Sequence, residues 1–166
     1  MTGAPAFEHL TSKEGIWDLI LEADQRNYIM AAGVPDGSKE RDEEKHKELG
    51  LVEGHAYGLI AAMTVTDRFG DEVNILKLRN PWGSFEWKGA WSDTSDCWTP
   101  ELQEQVDLQI DAQDGTFWMS EADFVQYFSR VQICKYVDGF QFNSNRFDWK
   151  QDGYYFVKVE ITRSGT

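Results

Sequence analysis

The 166-residue sequence is poor in several residue types, and each shortage excludes a class of protein. Two cysteines are too few for a disulfide framework, and they favour free thiols in a reducing, cytoplasmic compartment. The chain has neither a run of about 18 apolar residues nor an apolar segment near its start, so no membrane segment is expected. Only 16 basic residues stand against 29 acidic ones, and the net charge of −13 argues against a nucleic-acid partner.

The sequence does contain enough apolar material for one folded core. Hydrophobic residues make up 41% of the chain and aromatic residues 14%, with seven tryptophans among them. A chain of this length buries a sizeable core without disulfides. One segment differs, because residues 36–48 hold six acidic and four basic residues and no apolar one. That run indicates a solvated, mobile insertion.

Turn signals and apolar patterns predict an α+β fold, with an antiparallel β-sheet core and flanking helices. Thr11-Ser-Lys-Glu14 has the spacing of a capping box, and it predicts a helix at about residues 12–28. Two stretches rich in apolar and β-branched residues, 56–65 and 73–78, predict a hairpin. The other expected elements are a helix after Thr99-Pro100, a strand at 117–119, a helix capped by Ser120, and strands at 133–134 and 154–161.

Three histidines are available as a catalytic base, and their positions differ. His9 lies in the N-terminal stretch and His46 in the charged run, where both are expected to be solvated. His55 opens a predicted strand directly after Gly54. A single histidine at the start of a strand is more often structural than catalytic, so a catalytic role requires a partner.

The hairpin supplies Asn80 as that partner if its turn has an even number of residues. For turns of two or four residues, paired residue numbers add to 139 or 137. In the second case His55 and Asn80 lie diagonally on one face, with Cβ atoms about 7–8 Å apart. A three-residue turn would place the two side chains on opposite faces.

An imidazole and an amide in this arrangement suit the chemistry of a thiol protease. A cysteine thiol is mostly un-ionised at neutral pH, and an imidazole that takes its proton creates a thiolate–imidazolium pair. The Asn oxygen accepts a hydrogen bond from the other ring N–H, which holds the tautomer without adding negative charge. An indole beside the amide, here Trp82, would exclude water from that bond.

Four blocks of sequence carry a resemblance to a known family: Gly54-His55-Ala56-Tyr57, Leu76-Lys-Leu-Arg-Asn80-Pro-Trp-Gly83, Glu86-Trp87-x-Gly89-x-Trp91-Ser92-Asp93, and Asp114-Gly115-x-Phe117-Trp118-Met119-Ser120-x-x-Asp123-Phe124. They closely resemble the second protease-core subdomain of calpains, the right half of a papain-like protease. The resemblance implies that His55 and Asn80 are the catalytic histidine and asparagine and that Trp82 shields them. It covers residues 12–135. Residues 1–11 are then an N-terminal extension, and whether 136–166 belong to the same fold stays open.

The resemblance also implies a partner, because the family's nucleophilic cysteine lies in a preceding subdomain that no segment here resembles. Cys97 follows Asp93 and Asp96, which would raise its pKa, and Cys134 lies in an apolar stretch. Both cysteines are therefore interpreted as structural. The chain is expected to be inactive alone, and to cleave a protein or peptide substrate together with the Cys-bearing subdomain of its parent chain.

A calcium site is a further implication of the resemblance. The matching ligands are the carboxylates of Glu86, Asp93 and Asp114, with main-chain carbonyls at Ala112 and Thr116. Hard oxygen ligands of this kind suit calcium. Thr116 departs from the family pattern, which commonly has another acid there, so weak binding is expected. The alternative is that these residues are ordinary solvated loop acids.

Two other functions stay open from the sequence. The chain can be a regulatory or protein-binding calpain-like module whose parent has no functional nucleophile. It can also be a calcium-assisted carbohydrate-binding module, if the tryptophans 82, 87, 91 and 98 form an aromatic platform. Clustered tryptophans in a Gly-rich loop are more often packed in the core, where each indole N–H finds a partner.

Overall fold

The computed structural model describes residues 4–36, 45–108 and 114–136. The helices include α1 Ile16–Gln25, α2 Pro100–Gln105 and α3 Glu121–Tyr127. The strands are β1 Ala6–Leu10, β2 Ile29–Gly33, β3 Ala56–Thr66, β4 Glu72–Arg79, β5 Thr116–Ser120 and β6 Arg130–Cys134. They form one antiparallel sheet in the order β1-β6-β2-β3-β4-β5. The predicted α+β class, an antiparallel sheet with flanking helices, is confirmed.

Apolar residues cover both faces of the central strands. On one face, the first core packs α1 and α3 against the sheet; its members include Ile16, Ile20, Tyr57, Leu59, Leu76, Leu78, Phe117 and Phe124. On the other face, the tryptophan core consists of Val65, Ile75, Trp91, Trp98, Leu102, Val106 and Trp118. Because neighbouring residues of a strand point to opposite faces, β4 and β5 serve both cores. The loop that follows β4 is therefore anchored by its own buried tryptophans.

Several local predictions agree with the structure. Strands β3 and β4 form the predicted hairpin, and β5 includes residues 117–119. Thr99 accepts a hydrogen bond from the Leu102 N–H at the start of α2, and Ser120 accepts one from the Asp123 N–H at the start of α3. The strand predicted at 154–161 and most of the charged run lie outside the described residues.

Part of the N-terminal extension expected over residues 1–11 pairs with the sheet. Ala6–Leu10 pairs along its whole length with β6, from Ala6 opposite Cys134 to Leu10 opposite Arg130. Most of its side chains are exposed, so no alternating apolar pattern marks it in the sequence. Backbone hydrogen bonds to β6 make it an edge strand of the sheet.

The first helix is shorter than predicted, and a strand follows it. Gly15, in the left-handed conformation with φ of 72°, precedes α1, and no side chain caps the helix. The hydroxyl of Thr11, expected to be that cap, donates instead to the Phe128 carbonyl. After α1 ends at Gln25, the chain enters β2 at Ile29, a strand that the sequence pattern did not predict.

The hairpin contains an extra residue that determines which side chains share a face. Paired residue numbers in β3 and β4 add to 138 from Thr66–Glu72 to Ala61–Lys77. Beyond the bulge at Ile60, Leu59 pairs with Leu78 and the numbers add to 137. The turn at residues 67–71 thus has the odd length that would separate His55 from Asn80. The bulge reverses this effect, because one additional residue turns every following side chain to the other face.

Within the described residues, no helix is long and apolar enough to cross a membrane.

Candidate active site

His55 and Asn80 are joined by a hydrogen bond at the end of the hairpin. His55 Nε2 lies 2.9 Å from Asn80 Oδ1, and the asparagine side chain is fully buried. The amide nitrogen of Asn80 donates to the carbonyls of Ser84 and Phe85, at 2.6 and 3.2 Å. The orientation of the amide is therefore determined, and Oδ1 faces the ring.

This orientation also determines the tautomer of His55. An amide oxygen can only accept, so Nε2 must carry the ring proton in the bond to Asn80. Nδ1 of the neutral ring is then the unprotonated nitrogen. Asn80 Oδ1 also accepts from the Trp82 backbone N–H at 3.0 Å, which ties the indole-bearing residue to the same amide. The hydrogen bond to Asn80 therefore holds His55 as a base whose unprotonated nitrogen is Nδ1.

Backbone contacts hold His55 at the start of β3. Its carbonyl accepts from the Val34 N–H at 3.0 Å, and the Gly54 N–H donates to the Pro35 carbonyl at 3.4 Å. Gly54 has φ of 61°, a left-handed conformation that favours glycine. The segment before His55 is therefore joined to the end of β2.

Aromatic rings lie on the imidazole. The Trp82 ring centroid is 4.3 Å from that of His55, and the indole remains 60% exposed. Tyr57 lies 5.1 Å from His55, with the two rings nearly perpendicular, and is almost completely buried. Burial raises the pKa of the Tyr57 phenol, and its hydrogen bond with the Val52 N–H opposes that rise.

Two cavities adjoin this pair. One of about 270 Å³ is lined in part by Gly33, Gly54 and His55. Another of about 380 Å³ is lined in part by Leu51, Trp82 and Phe85. The first includes the imidazole itself, and the second includes the indole that lies on it.

The second half of the site is a loop that depends on close backbone packing. The Asn80 N–H donates to the Gly115 carbonyl at 2.8 Å. A Cβ atom on Gly115 would lie 2.6 Å from the Asn80 carbonyl oxygen and 2.9 Å from Gly83 Cα, and Gly115 has φ of 76°. The loop before β5 therefore approaches Asn80 so closely that only glycine fits.

The other loop tryptophans pack in the core. Trp87 and Trp98 donate their indole N–H groups to the carbonyls of Ala90 and Ser92. Both rings are buried, as is Trp91. The packing interpretation is confirmed for these three residues. They cannot join Trp82 in an exposed platform for a sugar.

The carboxylates expected to bind calcium surround the segment 114–116. Glu86 Oε1 accepts from the Gly115 N–H at 2.8 Å, and Asp114 Oδ1 accepts from the Thr116 N–H at 2.5 Å. Asp93 lines a cavity of about 130 Å³ together with Asp114 and Thr116, and a separate cavity together with Glu86.

Oxygen donors of this kind have the right chemistry for a hard cation. In the ranges that the structure describes, however, no three carboxylate, histidine or cysteine side chains are close enough together to hold a metal ion. Ala112, the predicted carbonyl ligand, lies outside those ranges. The donor types fit calcium, and the three carboxylates do not form a preassembled site.

Cys97 and Cys134 form no disulfide with each other and are half-buried, and Cys97 packs against the tryptophan core. His46 was expected to be solvated, which is wrong. Its side chain is only 13% exposed, and Nδ1 lies 2.5 Å from Glu53 Oε1. No sequence pattern indicates this pair, because it depends on how the segment folds back before His55.

The chain matches a known family of proteins over most of its described length. Residues 1–135 match the family described as "Calpain family cysteine protease". The chain is 38% identical over 129 residues to the calpain-1 catalytic subunit of Macaca fascicularis, which covers 77% of this chain and 18% of the relative. It is 39% identical over 120 residues to the mouse calpain-1 catalytic subunit, covering 72% and 16%. It is 41% identical over 127 residues to human calpain-14, covering 75% and 17%.

The chain therefore belongs to the calpain family of cysteine proteases. It spans less than a fifth of the length of these relatives.

Proposed function

We propose that this chain is the His/Asn-bearing half of a calcium-dependent, calpain-like cysteine endopeptidase. The observation that carries the proposal is the 2.9 Å hydrogen bond between His55 Nε2 and Asn80 Oδ1. This bond holds the proton on Nε2 and leaves Nδ1 as the base. Membership of the calpain family supports the same reaction class.

In this proposal Nδ1 of His55 takes the proton of a cysteine thiol that a Cys-bearing subdomain of the parent chain supplies. The thiolate attacks the peptide carbonyl carbon, and the imidazolium then gives its proton to the leaving amine nitrogen. Water hydrolyses the resulting thioester after losing a proton to the same nitrogen. Asn80 keeps the ring oriented through both steps, and Trp82 covers the bond between them.

The two cavities beside the pair support a peptide substrate. One includes His55 and the other includes Trp82, so an extended chain lying across the pair would contact both. The nucleophile cannot be assigned to Cys97, which packs with the tryptophan core, or to Cys134, which lies in β6. We propose that this chain alone does not hydrolyse peptides, and that its two cysteines, which form no disulfide with each other, suit a reducing cytoplasm.

Calcium is the proposed regulator. Glu86 and Asp114 bind backbone N–H groups of adjacent residues, and Asp93 borders cavities that contain each of them. Since the three carboxylates repel one another, gathering them requires a cation. We expect weak binding, because Thr116 supplies no carboxylate.

A chimera tests the proposed function. In it, residues 4–136 replace the matching segment of the mouse calpain-1 catalytic subunit, which keeps its own Cys-bearing subdomain. We expect calcium-stimulated cleavage of an unfolded protein substrate. His55→Ala should abolish this cleavage, and His9→Ala, the control on the edge strand, should leave it intact. A folded but inactive chimera would favour a regulatory module. A His55→Ala chimera with unchanged activity would contradict the assignment.

A further inference from the structure

Two aromatic rings of very different exposure contact the imidazole of His55. Trp82 approaches at 4.3 Å between ring centroids with an interplanar angle of 44°, and it is largely exposed. Tyr57 approaches at 5.1 Å with an angle of 82°, and only 1% of it is exposed. An exposed indole can move aside, whereas a buried ring cannot. The buried ring is the better candidate for holding the imidazole.

The position of Tyr57 is determined by the first core. Phe117 and Phe128 contact its ring at centroid distances of 5.9 and 5.3 Å, each at 77°. Ala32 is its partner across the strand pair β2–β3. Interiors packed this densely leave no room for a ring of this size to adopt a second rotamer.

The hydroxyl of Tyr57 holds the segment that leads to His55. It accepts a hydrogen bond from the Val52 N–H at 2.9 Å. Residues 52–57 thus form a closed loop with His55 inside it.

We propose that Tyr57 is a positioning residue for His55. Its ring prevents the imidazole from rotating about the Cβ–Cγ bond, and its hydroxyl fixes the backbone that carries the imidazole. Such a rotation would break the bond between Nε2 and Asn80 and would turn Nδ1 away from an incoming thiol. The inference rests on the proposed role of His55. It adds a residue that contacts the base and no reacting atom.

Nuclear magnetic resonance on the full chain, with ¹⁵N-labelled histidine, tests this proposal without any enzymatic activity. The wild type should show His55 as a single tautomer with the proton on Nε2. Tyr57→Leu removes the perpendicular ring, so the second tautomer should appear and the ring N–H should exchange about tenfold faster. Tyr57→Phe should keep the tautomer while the Val52 amide exchanges about fivefold faster.

Phe117→Leu is the matched control. It removes a buried ring of the same core, one that contacts Tyr57. We expect a similar loss of thermal stability and no change in the His55 tautomer. An equal effect of Phe117→Leu and Tyr57→Leu on the tautomer would show general loosening and would overturn the inference.

A folded Tyr57→Leu chain with the wild-type His55 spectrum would also overturn it. If Tyr57→Leu does not fold, Tyr57→Phe decides, and unchanged Val52 exchange contradicts the proposal. In the chimera, Tyr57→Leu should lower kcat about tenfold with little change in KM. Failure of the proposed function would appear differently, as activity that survives His55→Ala.

Discussion

His55 and Asn80 share one face of the sheet although the odd-length turn of their hairpin would place them on opposite faces. The bulge at Ile60 shifts the pairing between Ala61 and Leu59, and the shift brings His55 Nε2 within 2.9 Å of Asn80 Oδ1. Bulges redirect side chains next to functional sites in this way. The geometry of the pair is thus a property of the whole strand, including residues far from the imidazole.

The first prediction concerns the polarity of the Asn80 site. Asn80→Asp should destabilise the chain more than Asn80→Ala at neutral pH, because a carboxylate oxygen would face the carbonyls of Ser84 and Phe85. Burial and these oxygens would raise the pKa of the new carboxyl. The destabilisation should therefore decrease as the pH falls through the folded pKa, and it should be absent below the unfolded pKa of about 3.9.

Urea denaturation of both variants between pH 4 and 8 measures this difference. Stability of the Asn80→Asp chain should rise relative to Asn80→Ala as the pH falls. A constant difference across this range would show that the site accommodates a charge, and the hydrogen-bond pattern around Asn80 would then be wrong. In the active chimera, Asn80→Ala should reduce kcat less than His55→Ala does, because it removes orientation and leaves the base.

The second prediction concerns the close approach at Gly115. Gly115→Ala should lower the free energy of unfolding by about 3 kcal/mol or more, from a positive φ and a clash with the Asn80 carbonyl oxygen. Gly70→Ala is the control, since Gly70 also has a positive φ but nothing lies within 4 Å of its Cβ position. Gly70→Ala should lower the free energy of unfolding by only about 1 kcal/mol. Chemical denaturation measures both variants. If Gly115→Ala and Gly70→Ala lose the same free energy of unfolding, the steric contact with Asn80 is not significant.

The third prediction follows from the raised pKa of Tyr57. Because the folded pKa lies above the usual value of about 10, the unfolded chain ionises first as the pH rises. The stability contributed by the neutral phenol is complete below pH 10 and decreases as the pH rises through the folded pKa.

Tyr57→Phe removes this ionisation together with the Val52 hydrogen bond. The variant should be less stable than wild type by about 1 kcal/mol at pH 8, and the difference should shrink above pH 10. Urea midpoints from pH 8 to 11 measure it, with Tyr28→Phe as the control. If the difference in stability between wild type and Tyr57→Phe stays constant up to pH 11, that result would contradict the burial of the phenol.

The fourth prediction concerns calcium affinity. Thr116→Glu adds a carboxylate to the cavity that Asp93 and Asp114 line, so it should tighten calcium binding at least several-fold. Thr116→Gln, which has the same shape and no charge, should not. For the wild type we expect a dissociation constant at or above the sensor range of about 10⁻⁷–10⁻⁵ M.

Calorimetry and thermal melts measure these effects in the isolated chain. Calcium at about 100 times the dissociation constant adds ~2.7 kcal/mol of stability, and Asp93→Asn should remove that gain. Magnesium, which requires a stricter octahedral geometry, should not replace calcium. If neither the wild type nor Thr116→Glu shows a calcium heat, these residues are solvated loop acids.

By itself the sequence determined the features that depend on neighbours along the chain. The caps at Thr99 and Ser120, the hairpin and the strand before α3 are local patterns, and local hydrogen bonds and side-chain alternation produce them. The chemistry of an imidazole beside an amide was also readable, since the motifs containing His55 and Asn80 identify the residue types.

Only the tertiary structure decided how distant segments meet. The edge strand Ala6–Leu10 is held by backbone pairing with β6, which needs no apolar pattern, so its sequence gives no indication of a strand. The His46–Glu53 pair and the contact of Tyr57 with His55 depend likewise on packing between segments. The bulge at Ile60 is the decisive case. One unpaired residue reverses the face of every side chain beyond it, and only the pairing of β3 with β4 in the folded sheet reveals which residue that is.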